Sequence, residues 1–216
     1  MTALSEKYNK IFNKSIIPGI QSVFIGTYGN ENGRRFYAQS GERLLTLMEG
    51  ADDRGSAAIR RHMVKNILPV VSCYQVLQEN GIPKDETCDL VVGEMHTTVK
   101  INAEIWRHFS NIPRLYPLFR RLCRRVMEKD YPDVGWNVHW VRDNPEGIAF
   151  DCRACVYMDV TVQLGCPELC RCFCQNDDIM YSVLSPKVRF VRTQTQAAGG
   201  DRCDFCFLNG KVNKRG

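Results

Sequence analysis

Eight of the eleven cysteines in this 216-residue chain fall between Phe150 and Phe207. Thiolates are strong nucleophiles and good soft-metal ligands, so this density admits cysteine catalysis, a metal site or an oxidised scaffold. Two CxxC pairs, Cys152/Cys155 and Cys203/Cys206, have zinc-ligand spacing. Both lie in stretches that read as strands, where residues three apart point to opposite faces and cannot share one ion. The run Cys166, Cys170, Cys172 and Cys174 is different. In a helix, Cys166, Cys170 and Cys174 form an i, i+4, i+8 stripe on one side. Packing is the simpler account of any single cysteine, because a free thiol is commonly a small buried hydrophobe. Polar partners recur beside the cluster, however. Asp177 follows Cys174 by three, Asp204 follows Cys203, and Arg192 lies on a strand expected to pair with that of Cys203.

The elements that must position these groups fall in two regions of what should be one compact unit. Residues 1–130 read as a helical region, with helices over 4–14, 36–49, 56–81, from 84 onward, and 114–129. Residues 26–33 (GTYGNENG) read as a Gly/Asn loop. Pro69 should kink or divide the 56–81 helix, and Gly81 should cap it. Residues 131–216 read as a Cys-rich α+β region with strands over 136–142, 148–158, 187–196 and 202–208. The turn chemistry of 143–147 and the Gly199-Gly200 pair predict two antiparallel hairpins, bridged by a helical stretch over 159–184. The expected fold class is therefore α+β, with a helical layer packed on an antiparallel sheet.

Charge and length narrow the function. The net charge of +5 is too modest for a nucleic-acid partner, and Arg120, Arg121, Arg124 and Arg125 read as one solvated helix face. No apolar window is long enough to span a bilayer, and the N-terminus lacks a signal-peptide pattern, so a cytoplasmic protein with reduced thiols and no membrane partner is expected. Trp106, Phe109, Tyr116 and Phe119 serve a homodimer surface or the core equally well. No motif for a nucleotide, a cofactor or zinc-protease chemistry occurs, and none of His62, His96, His108 and His139 stands out as a partner for a catalytic cysteine.

The ordered motifs Phe150, Cys155, Tyr157, then Gly165, Pro167, Glu168, Leu169, Cys174, Asp177, then Arg192, Thr193, Gln194, Thr195, Gly199, Cys203, Asp204, Phe205 resemble the L-2-amino-thiazoline-4-carboxylic acid hydrolase family. Residues 148–207 carry most of that resemblance; Ile67, Leu68, Pro69, Tyr74 and Gly81 add a looser match. The resemblance implies opening of a thiazoline ring, or of a related cyclic amidine, to a carbamoyl-cysteine-type product, with a small carboxylate as substrate; from the missing motifs no cofactor is expected. The resemblance places the motif thiols on Cys155, Cys174 and Cys203. Cys174 is the preferred nucleophile and Asp177 the base or amidinium partner, while Arg192, Thr193 and Asp204 are candidates for the substrate. Many such sequences carry arginine where this chain has Cys206. A non-catalytic binding or sensor domain with a Cys-lined pocket is the alternative from another class.

Overall fold

The computed structural model describes residues 2–212, which divide into two compact units, one up to Thr98 and one from Val99. The first unit is helical: α1 (Ala3–Phe12), α2 (Ile20–Glu49), α3 (Ala57–His62) and α4 (Leu68–Glu79) precede the start of α5 (Lys84–Phe109). Thr2 caps α1 by accepting from the Ser5 N–H at 3.2 Å. The loop expected over 26–33 shrinks to one residue, Gly29 (φ 77°), which breaks an otherwise continuous α2. Gly33 then lies so close to the preceding turn that a Cβ would stand 2.5 Å from the Ile25 Cα. The helix over 56–81 is divided as expected. A π-helical turn, Met63–Ile67, separates α3 from α4, and Pro69 occupies the first turn of α4. Gly81 (φ 78°) closes α4, with the Ile82 N–H on the Leu77 carbonyl and the Gly81 N–H on that of Gln78. Phe12, Ile17, Phe24, Leu44, Ile67 and Leu77 form the buried core of this unit.

The second unit is α+β. After α5 come α6 (Leu115–Asp130), α7 (Asp133–Trp136), β1 (Val138–Asp143), β2 (Gly147–Cys152), α8 (Val156–Gln163), α9 (Glu168–Ser182), β3 (Val188–Val191) and β4 (Cys203–Asn209). The sheet order is β1-β2-β4-β3, antiparallel throughout. Both expected hairpins form. In the first turn the Asn144 side chain accepts from the Glu146 and Gly147 N–H groups. The hairpins join along β2 and β4, setting Ile148 opposite Phe207, Phe150 opposite Phe205 and Cys152 opposite Cys203. Helices α6 and α9 cover this apolar face. Phe119 and Tyr181 each lie 4.8 Å from Phe207, centroid to centroid, and Tyr181 lies 5.1 Å from Phe190.

Three strands are shorter than their sequences suggest. The stretch 148–158 leaves the sheet at Cys152, and the β-branched run after it folds as α8, burying Val156 and Val160 one turn apart. Burial at helical spacing outweighs the strand preference of Val and Thr here. The stretch 136–142 begins as helix α7, and the stretch 187–196 leaves the sheet after Val191.

Candidate active site

Strand β2, the start of α8, helix α9 and strand β4 bring five cysteines into one neighbourhood. Cys155 is the residue immediately before α8, while Cys170 and Cys174 stand one turn apart on α9. The Cys170 thiol neighbours both Cys155 and Cys174 closely enough to link the acidities of the three. Cys203 on β4 lies opposite Cys152, and its sulfur accepts from the Gln196 N–H at 3.4 Å. All eleven cysteines are free thiols. Among the described residues no group of three or more His, Cys, Asp or Glu side chains is arranged to hold a metal ion.

The thiols differ in acidity. The neighbouring Cys170 thiol lowers Cys155 against the opposing effect of burial, and the Tyr157 and Met158 N–H groups help. Cys155 is the N-cap residue of α8, where the positive end of a helix also favours a thiolate. Cys174 is lowered by the same Cys170 contact, against burial and with help from Arg192. Cys170 is correspondingly raised and stays a thiol. It has one S–H, which serves one neighbour at a time. Burial pushes Cys203 up to about 11 and raises Cys152 as well. The two depressed thiols are thus Cys155 and Cys174, with Cys170 between them.

Arg192 is 7% exposed and fully engaged. It donates at 2.9 Å to Asp177, to Asp178 and to the Cys174 carbonyl, and its guanidinium lies 5.5 Å from the Phe190 and Phe205 ring centroids. Burial pushes the Asp177 carboxyl up to about 6, although Arg192 pulls it down. The 35% of that side chain still exposed moderates the effect of burial. Asp204 accepts from the Thr193 and Gln194 N–H groups and from the Thr193 hydroxyl. Burial opposes its ionisation, but those donors hold it below the usual carboxylate range. Asp204 and Thr193 therefore tie the segment after β3 onto β4.

Cys174 lies near Cys155, Asp177 and Arg192, and Cys203 near Cys155 and Cys174; Arg192 reaches Asp177 and the backbone of Cys174. Two members of this constellation went unassigned in the sequence reading. Cys170 was visible in the i, i+4 stripe, and its role as the bridge emerges only when α8 meets α9. Asp178 carried no signal beyond following Asp177. Cys206 pairs with Ala149 and Val191 on the opposite sheet face from Cys203. Cys172 donates to the Glu168 carbonyl of its own helix at 3.7 Å. His108 and His139, the histidines of this unit, are exposed.

No helix among the described residues is long and apolar enough to cross a membrane. No curated protein and no solved structure matches the chain. Residues 60–207, more than half of the chain, match the family described as L-2-amino-thiazoline-4-carboxylic acid hydrolase, and the chain belongs to that family.

Proposed function

We propose that the protein opens L-2-amino-thiazoline-4-carboxylate, or a related cyclic amidine acid, by attack of a thiolate from the Cys155–Cys170–Cys174 cluster. The observation that carries this reading is the placement of Cys155. It stands at the positive end of α8 with the Cys170 thiol against its sulfur, two features that favour a thiolate at neutral pH. The sequence favoured Cys174; the helix terminus moves the first choice to Cys155, with Cys174 as the second depressed thiol.

In this reading the Cys155 thiolate adds to the amidine carbon between ring sulfur and ring nitrogen. The tetrahedral adduct collapses with cleavage of the ring C–S bond, and the sulfur departs as a thiolate that later receives the proton Asp177 takes from water. The enzyme is left as an S-amidino adduct. Asp177, when ionised, takes a proton from water as it adds to that carbon. The Cys155 sulfur then leaves and an amidine-derived C=O forms, releasing a carbamoyl-cysteine-type product. Arg192 acts as a positioning residue, because its donors are committed to Asp177, Asp178 and the Cys174 carbonyl. The setting is cytoplasmic, where these thiols stay reduced.

The test is ring loss from L-2-amino-thiazoline-4-carboxylate with purified, reduced protein and its Cys155→Ala, Cys174→Ala and Cys203→Ala variants. Loss of roughly a thousand-fold or more in kcat is expected for Cys155→Ala. Iodoacetamide at neutral pH should label Cys155 ahead of Cys203, and substrate should protect it. Full turnover by Cys155→Ala would overturn the assignment of the nucleophile. Binding of the acid without turnover by the wild type would favour a ligand-binding domain.

A further inference from the structure

One stretch of the second unit takes no part in that chemistry. Residues 99–130 hold eight Lys and Arg against three Asp and Glu, an excess equal to the +5 of the whole chain, so the rest is balanced. The same stretch holds seven of the twelve exposed large hydrophobic side chains among the described residues. On α5 these are Ile101, Ile105, Trp106 and Phe109, and on α6 they are Leu118, Leu122 and Val126. Residues 101, 105 and 109, and again 118, 122 and 126, recur at i, i+4, i+8, which makes each set a continuous stripe along its helix.

Helix α6 sorts its arginines. Arg120 and Arg124 bind Asp143, which ties them to the end of β1. Arg121, Arg125 and Lys129 are exposed and sit three, seven and eleven residues beyond Leu118, along the apolar stripe. The buried side of the helix is a separate one, carrying Tyr116 and Met127. The sequence reading placed all four arginines on one solvated face; the structure sends two to an acidic partner and leaves two outside.

A stripe both apolar and basic selects its partner. A second copy in a two-fold contact would set this positive surface against itself. Phosphate recognition on a nucleic acid explains the basic residues but not an exposed aliphatic row between them. A bilayer with anionic headgroups satisfies both, since it takes Leu, Val, Trp and Phe at the acyl boundary and Arg and Lys at the phosphates. We propose that the outer stripe of α6 docks on anionic lipid, with Leu118, Leu122 and Val126 entering the boundary and Arg121, Arg125 and Lys129 meeting the headgroups. Such a contact needs no spanning segment, and it revises the expectation of no membrane partner that span length alone supported.

The experiment is flotation of the full chain with vesicles of phosphatidylcholine, alone or mixed with phosphatidylglycerol. Binding is expected only to the mixed vesicles and should weaken as salt is added. Arg121→Glu combined with Arg125→Glu should lower the partition coefficient about ten-fold or more, and Leu122→Ser should also weaken binding. Both sets of changes are at exposed positions, so thermal unfolding serves as the control for folding. The proposal is overturned by no flotation at low salt, or by flotation that the charge reversal leaves intact. It is also overturned if sedimentation shows a dimer that Leu122→Ser dissociates while vesicles bind nothing.

Discussion

Asp177 illustrates how a single side chain balances two fields. Burial raises its carboxyl to about 6 while the Arg192 guanidinium holds it down. As the base of the proposed hydrolysis it must be ionised, so kcat should climb as pH rises through about 6 and level off above it. In Asp177→Asn that acid limb should disappear together with most of the rate, which a pH–rate profile of both proteins would read. Folding stability runs the opposite way. A raised carboxyl binds more protons when native, so its contribution is greatest below about 4 and is lost towards 6. The residues of the proposed site, including Cys155, Cys174, Asp177 and Arg192, can be singled out in the sequence by type and spacing. Their roles are less legible there, because the saturation of Arg192 by two carboxylates and a carbonyl depends on contacts across 14 to 18 residues.

At the scale of elements, reading succeeded where punctuation was strong. Gly81, the Asn144 turn and the long 84–109 helix follow from local chemistry, and the structure shows each of them. It failed where tertiary burial overrode propensity. The run after Cys155 is rich in β-branched residues yet forms α8, and that difference decides the site. A strand would have pointed Cys152 and Cys155 apart, whereas a helix start gives Cys155 a positive terminus. The sheet itself depends on Phe207, which is 2% exposed and touches Phe119, Phe150, Tyr181 and Phe190. Phe207→Ala should cost about 3–5 kcal/mol, seen as a lower denaturant midpoint at an unchanged m-value. A cost below about 1 kcal/mol would mean that α6 and α9 do not depend on this ring.

For the whole molecule, the balance of charge is more informative than its total. A net +5 looks unremarkable until it is assigned to residues 99–130, where the exposed apolar side chains also collect. The sequence displayed these residues, but which of them face outward is a property of the fold. The pairing of β2 with β4 carries a further consequence. Cys152 meets Cys203 across about fifty intervening residues, so a long loop must close before the two hairpins share a sheet. On that ground the thiol neighbourhood should assemble late in folding, leaving eight sulfurs until then in a loosely held segment. Refolding from denaturant without a reductant should trap mispaired disulfides and yield fewer titratable thiols than refolding with one. Recovery of all eleven thiols under both conditions would show that closure outruns oxidation.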